Sequence, residues 1–244
     1  RNYGVDRGYN HAHDMKERSP GSTIKPLIDY GPAVEFLDWS PAQTIVDEDI
    51  KYTGTDQVIR NADNKYLGAM TMREALYKSR NTTAVKTLKE VGTKNAREFI
   101  SRFGVDIGTV NEAYAIGGIS KFMSPIQLAG AYAAFGNNGN HTEPYAINKI
   151  VYRDGKTEKN YKPESKTVMK DSTAYIITDV LRDVLTKGTG KAAAISGLDV
   201  AGKSGTSNFS GDKKGVPDVW SAGYTTNYSV TVWSGYDDNS AITT

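Results

Sequence analysis

The chain has no cysteine in its 244 residues. No disulfide can staple it, no zinc–thiolate site can form, and no thiol can act as a nucleophile. It has no run of 18 or more apolar residues, so the sequence carries no candidate membrane-spanning helix. No signal peptide, internal repeat or low-complexity tract appears. Neither sign of charge dominates, with 30 Lys+Arg against 28 Asp+Glu and a net charge of +2. This balance gives no reason to expect nucleic acid or an acidic membrane surface as the main partner.

What is present suits a soluble globular domain, with 38% hydrophobic and 24% charged residues. The length allows one large domain or two small ones with a sizeable core. Fifteen tyrosines and 24 glycines suggest many turns and a fair amount of sheet. The opening "RNYGVDRGYNHA" reads as the tail of a strand already under way, which predicts a domain trimmed from a longer chain.

Helices announce themselves by their caps. "TMREALYK" starts on Thr71 with Glu74 three residues later, a capping box. "TTAVKTLKEVG" carries Val85, Leu88 and Val91 and stops at Gly92. "TKNAREFISRFG" has Thr93 as its cap and a stripe of Ala96, Phe99, Ile100 and Phe103. "SPIQLAGAYAAFG" offers Ser124 as cap, Pro125 at the first helical position and Gln127 at the third. From Asp171 to Gly188, Ile176, Ile177, Val180, Leu181, Val184 and Leu185 share one broad face. Strand signals lie elsewhere. "YAINKIVYRDGK" leads into an Asp154-Gly155 turn, and "YSVTVWSGY" alternates with Tyr228, Val230 and Val232 on one side. "VWSAGYT" is its expected antiparallel partner. Helices over 71–187 followed by strands after 196 predict an α+β fold.

One stretch, "GLDVAGKSGTSN" at 197–208, matches two chemistries. Gly197 to Ser204 fits the phosphate-binding pattern G-x-x-x-x-G-K-[ST]. Such a loop needs a buried strand before it and a helix after it, whose N-terminus holds the phosphates. Small, glycine-punctuated residues precede this one, and "GTSNFSGDKKGVP" follows it, where a helix is improbable. Leu198, Val200 and Gly202 alternate at strand spacing through the supposed loop. The second chemistry is serine acyl transfer, with Lys203-Ser204-Gly205-Thr206 on a strand at one wall of a cleft.

Two other segments complete that second set. In "RSPGSTIKPLIDYG", Ser22 and Lys25 share a face if a helix starts at about Ser22, and Pro26 fits such a start. The Ser22 hydroxyl then sits at the positive end of the helix, beside its own unpaired N–H, which is half of an oxyanion hole. The same dipole, with burial, disfavours the ammonium form of Lys25 and moves it toward acting as a base. Ser-x-x-Lys by itself is cheap. Ser210-Gly-Asp-Lys213 is a second copy, in a glycine-rich stretch that reads as a solvated loop. In "KSRNTT", Ser79 and Asn81 fall between two capped helices, where a hydroxyl can shuttle a proton and an amide can hold a peptide group. Alone, that pair reads equally well as a turn cap. Gly205 would let a substrate backbone lie flat against the strand edge.

Together these motifs give S-x-x-K, S-x-N and K-[ST]-G, in order and each on its required element. With "MTMREALYKSRNTTAVK" and "YAIGGISKFMSPIQLAGAYAAFGNNG", the chain resembles the transpeptidase domain of a class A (bifunctional) penicillin-binding protein of the Gram-positive type, over nearly its whole length. The resemblance implies a penicillin-binding-protein/β-lactamase-like fold, a mainly antiparallel sheet flanked by helices with an adjoining helical subdomain. Residues 1–244 would be one transpeptidase domain, lacking the family's first strands and last helix. Ser22 would be acylated by the D-Ala-D-Ala end of a peptidoglycan stem peptide, with Lys25 as general base and Ser79 passing a proton to the leaving group. Asn81 would hold the peptide amide. Lys203 would supply a positive field, and Ser204 and Thr206 would grip the terminal carboxylate beside Gly205. The Ser22 and Thr206 N–H groups would form the oxyanion hole. The family usually has threonine where Ser204 stands.

The implied partners are stem peptides and β-lactams, with no cofactor and no metal. The implied location is the outer face of the bacterial cytoplasmic membrane, with a glycosyltransferase domain and an anchor outside this chain. The rivals are a D,D-carboxypeptidase, a β-lactamase, a β-lactam sensor, or a non-catalytic wall-binding module. A class A lactamase needs a deacylating glutamate in an E-x-x-L-N context, and none of Glu90, Glu98, Glu112, Glu143, Glu158 and Glu164 has one. Intact Ser22 and Lys25 argue against the module. His11 and His13 could pair on a metal if they lay on a strand, but no third ligand is in view. Asn81-Thr82-Thr83 also matches a glycosylation sequon, which a bacterial origin makes moot.

Overall fold

The computed structural model describes residues 8–209 and 214–242. Its axis is a helix, α1, built in three registers: 3-10 over Gly21–Ile24, π over Pro26–Tyr30 and α over Gly31–Leu37. Pro26 accounts for the change. It has no N–H, so the chain tightens before it, with the Lys25 N–H bonded to the Ser22 carbonyl. After it the helix widens, and the Gly31 N–H reaches back to the Pro26 carbonyl. A Cβ at Gly31 would stand 2.3 Å from that carbonyl, so the widened turn requires glycine. The helix starts at Gly21, one residue before the expected start, with Pro20 as its N-cap. Ile24, Leu27, Ile28, Tyr30 and Ala33 are fully buried along it.

On one side of α1, β1 (Thr44–Asp47) pairs antiparallel with β2 (Gly68–Thr71). The chain then enters α2 (Met72–Tyr77), α3 (Asn81–Val91) and α4 (Thr93–Ser101). Thr71 caps α2 by accepting from the Glu74 N–H at 3.2 Å. Glu74 pairs with Lys78 at 2.5 Å rather than returning to the cap. Thr93 is the first residue of α4 and not its cap, because Gly92, with φ of 79°, both ends α3 and opens α4. On the other side lie α5 (Pro125–Gly136) and α6 (Asp171–Thr186). The Ser124–Gln127 capping box of α5 is complete in both halves.

Those two helices pack on an antiparallel sheet formed by β3 (Ala201–Thr206), β4 (Asp218–Tyr224) and β5 (Ser229–Gly235), in the order β5-β4-β3. Trp220, Ala222 and Tyr224 of β4 face the helices and are buried. The alternating row Tyr228, Val230 and Val232 lies on the opposite face at 76%, 58% and 54% exposure, so the alternation marks the strand but not its buried side. One hydrophobic core runs from the sheet through α1 to α3 and α4. The α+β expectation holds. The Asp154-Gly155 turn also forms, joining Lys149–Val151 to Glu158–Asn160.

The N-terminal reading needs correction. Residues 8–10 form no strand, and His11–Asp14 is a helical turn capped by Asn10, whose side chain accepts from the Ala12 N–H. Residues 1–7 of the expected strand tail lie outside the described residues, as do Ser210, Asp212 and Lys213 of the glycine-rich stretch. Among the described residues no helix is long and apolar enough to cross a membrane.

Candidate active site

Three segments meet at one cleft of about 2130 Å³, and glycine lets them do so. A Cβ at Gly205 would stand 2.5 Å from the Pro20 carbonyl. One at Gly21 (φ 51°) would stand 2.5 Å from the Thr206 carbonyl, and one at Gly117 (φ 89°) 2.5 Å from the Gly21 Cα. Side chains there would force β3 away from the start of α1. Gly205 lines the cleft as expected, and its missing side chain also seats the strand on the helix backbone. This contact sets Ser22 beside Thr206, whose N–H groups are the expected oxyanion donors. Ser22 opens on the cleft, and its hydroxyl has no hydrogen-bond partner among the described residues.

The turn between α2 and α3 forms the second wall, as its caps predict. Ser79 adopts a left-handed conformation with φ of 59°, a strain that persists only where surroundings enforce it. The turn closes with the Ser79 N–H on the Leu76 carbonyl and the Arg80 N–H on the Ala75 carbonyl, each at 3.0 Å. This conformation turns two carbonyls and a hydroxyl toward Lys25. Lys25 Nζ donates to the Ser79 carbonyl and to Asn81 Oδ1 at 2.8 Å, and to the Arg80 carbonyl at 3.1 Å. Ser79 Oγ lies 3.4 Å from Lys25 Nζ and 2.8 Å from Lys203 Nζ. The Ser79 hydroxyl therefore sits between two amines.

The i, i+3 spacing of Ser22 and Lys25 suggests a direct meeting. The bonds of Lys25 go instead to the 79–81 turn, because the left-handed Ser79 offers carbonyls that no helix consumes. Both lysines are buried beneath the cleft floor. Burial first, then the neighbouring Lys203 and Arg80 cations, hold Lys25 well below the ordinary lysine range, against an opposing pull from Asp29. Burial pushes Lys203 down to about 7.

A pH dependence follows from these shifts. Lys25 as base requires the neutral amine, and its depressed value moves it in that direction. Lys203 carries its positive charge below about pH 7 and loses it above. The second-order rate of acylation by a β-lactam, which reports free-enzyme groups, should fall as pH rises through 7 toward 8.5. Lys203→Gln should flatten that limb at a low rate. A rate that rises across the same interval would exclude a catalytic charge on Lys203.

Several supporting residues have no motif in the sequence. Asp47, at the end of β1, is buried and accepts from Asn61 Nδ2 at 2.8 Å, the Leu67 N–H at 3.0 Å, Arg80 Nε at 2.8 Å and the Thr82 hydroxyl. Arg80 also bonds Asp63 at 2.9 Å and the Lys65 carbonyl. Asn61 Oδ1 accepts the Asn81 N–H at 2.7 Å. The Asn81 side chain is held at both ends, since Nδ2 donates to the Arg60 carbonyl at 2.8 Å while Oδ1 accepts from Lys25. One N–H and one lone pair remain for a ligand. Asp29, one turn beyond Lys25, is fully buried with neither oxygen hydrogen-bonded among the described residues, and burial raises its carboxyl well above the ordinary range.

The competing readings separate here. β3 begins inside the P-loop match at Ala201 and runs to Thr206, and residues 197–200 before it form no strand. No helix follows it among the described residues up to β4, and Lys203 is spent on Ser79. His11 Nε2 meets Asp237 at 2.5 Å and His13 Nδ1 meets Asp14 at 2.7 Å. Among the described residues no cluster of three His, Asp or Glu is arranged to hold a metal.

The family model described as the penicillin-binding protein transpeptidase domain matches residues 9–241. The chain belongs to that transpeptidase-domain family. It is 42% identical over 246 residues to penicillin-binding protein 1A/1B of Bacillus subtilis (strain 168), covering 96% of this chain and 27% of that protein. It is 38% identical over 250 residues to penicillin-binding protein 1A of Streptococcus pneumoniae, covering 96% of this chain and 34% of that protein. The chain thus spans about a quarter to two fifths of the length of the curated relatives it matches. Among solved structures, penicillin-binding protein 1A from Haemophilus influenzae aligns with a TM-score of 0.82 and 27% identity, over 95% of this chain and 40% of that one. A mycobacterial relative, PBPA of Mycobacterium tuberculosis, shares the fold with a TM-score of 0.79 at 18% identity, over 93% of this chain and 57% of that one. The resemblance to class A penicillin-binding proteins of the Gram-positive type therefore stands, and with it the transpeptidase fold.

Proposed function

We propose that this chain is a serine D,D-transpeptidase that cross-links peptidoglycan stem peptides and is acylated by β-lactams. The observation that carries this reading is the Ser79 hydroxyl held between Lys25 and Lys203 in the cleft onto which Ser22 opens. Ser22 Oγ attacks the carbonyl carbon of the penultimate D-Ala, and its proton passes to the Lys25 amine. The Ser22 and Thr206 N–H groups receive the oxyanion. The C–N bond breaks, the leaving D-Ala amine takes a proton through Ser79, and Ser22 is left as an ester. The amine of a second stem peptide then attacks that ester and gives up a proton, restoring Ser22 and forming the cross-link. Asn81 orients the peptide amide, while Lys203, Ser204 and Thr206 receive the terminal carboxylate beside Gly205.

Residues 1–244 act as one transpeptidase unit, and the single core from sheet to α4 supports this. The matched fraction of the curated relatives supports a longer protein, and the class A resemblance is the ground for giving it a glycosyltransferase domain and a membrane anchor on the outer face of the cytoplasmic membrane. Mass spectrometry after incubation with benzylpenicillin tests the chemistry. The expected product is the protein plus one intact drug molecule, long-lived because none of the glutamates between Asn81 and Lys203 stands in the E-x-x-L-N context of a deacylating lactamase. No adduct would remove the acyl-transfer reading, and rapid release of hydrolysed drug would reassign the chain to a lactamase.

A further inference from the structure

The loop leaving α6 carries a hydroxyl that no motif includes. Gly188 and Thr189 cross behind the end of α2. The Thr189 N–H donates to the Tyr77 carbonyl at 3.3 Å, and a Cβ at Gly188 would stand 2.3 Å from that oxygen. On the other side, Thr189 Oγ1 lies 3.1 Å from Ser204 Oγ, and both residues line the cleft. Thr189 therefore ties the turn bearing Ser79 and Asn81 to the strand bearing Lys203, Ser204 and Thr206.

A serine hydroxyl has no γ-methyl to restrict its rotamer, so Ser204 alone would point its single proton in several directions. The neighbouring hydroxyl changes this. When the oxygen of an anion takes the Ser204 proton, the Ser204 oxygen is left to accept from Thr189, and each bond polarises the other. Lys203 Nζ donates to the Ser204 carbonyl at 3.0 Å, placing a cation directly beneath this relay.

We propose that Thr189 is a positioning residue for carboxylate recognition, setting the Ser204 hydroxyl as a donor aimed at the terminal carboxylate of the substrate. This rests on the acyl-transfer reading above, in which the ligand ends in a carboxylate.

The test is acylation of the whole chain by benzylpenicillin and by its methyl ester, with half-saturating concentration and limiting rate measured separately. For the acid, Thr189→Val should raise the half-saturating concentration by about five- to tenfold and leave the limiting rate within about twofold, the loss of one charge-assisted relay. Thr189→Ser, which keeps the hydroxyl, should match the parent. The ester should bind the parent less well and be indifferent to Thr189→Val. The acid-to-ester ratio is internal to each variant, so it holds even where a variant is partly unfolded. An equal effect on acid and ester, a change in limiting rate alone, or no change with the acid would each overturn the proposal. Failure of the acyl-transfer reading looks different, because the parent itself would then be acylated by neither compound.

Discussion

Ser22→Ala should abolish covalent labelling by a fluorescent penicillin while the protein stays folded. The acyl-enzyme needs an oxygen on that side chain, and none remains. In serine acyl transferases, loss of the nucleophile costs on the order of 10⁶-fold in turnover. Folding should hardly notice. Ser22 is half-buried, its hydroxyl bonds to nothing among the described residues, and a substitution of that kind changes stability within about 0.5 kcal/mol. Gel fluorescence and a thermal melt on the same sample separate the two quantities. Labelling equal to the parent would take the nucleophile's role from Ser22 and point to Ser79, the hydroxyl already placed between two amines.

Asp47→Ala should destabilise the protein by about 3 kcal/mol, because it removes the buried partner of a buried cation and the acceptor of three further donors. Arg80 is only 5% exposed and would lose its fully buried partner, keeping Asp63 and the Lys65 carbonyl. The Asn61 amide, the Thr82 hydroxyl and the Leu67 N–H would lose their acceptor together. Urea denaturation should show a lower midpoint at unchanged slope. Acylation should slow as well, since Asn61 and Arg80 hold the 79–81 turn. Asp56→Ala is the contrast, since it breaks only an exposed pair with Lys51 and should leave the midpoint where it is. A midpoint shift no larger than that of Asp56→Ala would remove Asp47 from the support of the site.

The same network fixes an acid limit. Burial pushes the Asp47 carboxyl up, but hydrogen bonds from Thr82, Asn61 and Leu67 and the Arg80 charge outweigh it and lower it below 3.8. A depressed carboxyl contributes stability that is present above its unfolded value and lost as pH falls through the folded one.

Much of the fold was legible in short stretches. The Ser124–Gln127 box, the Gly92 stop and the Asp154-Gly155 turn depend on contacts a few residues apart, and each formed where its residues predicted. The misreadings had local causes too. Thr93 resembles a cap, but the left-handed Gly92 already did that work. "HAHD" follows Asn10, whose side chain caps a helical turn, so the two histidines never share a strand face. The Val230–Val232 row forms the strand its spacing predicts, and spacing leaves open which face is covered.

Sequence alone determined the elements and the chemical inventory: a helix start with Ser22 and Lys25, an interhelical turn with Ser79 and Asn81, and a strand with Lys203, Ser204 and Thr206. Only the tertiary structure decided how they act on one another. Lys25 meets a turn 54 residues away, and Lys203 reaches Ser79 across 124 residues. Those meetings depend on glycines that let backbones touch and on Asp47 gathering four donors, features that carry no periodicity and no fixed spacing. Burial, which lowers both lysines, is likewise a property of the assembled core, since no residue excludes water from its own side chain without neighbours distant in the chain.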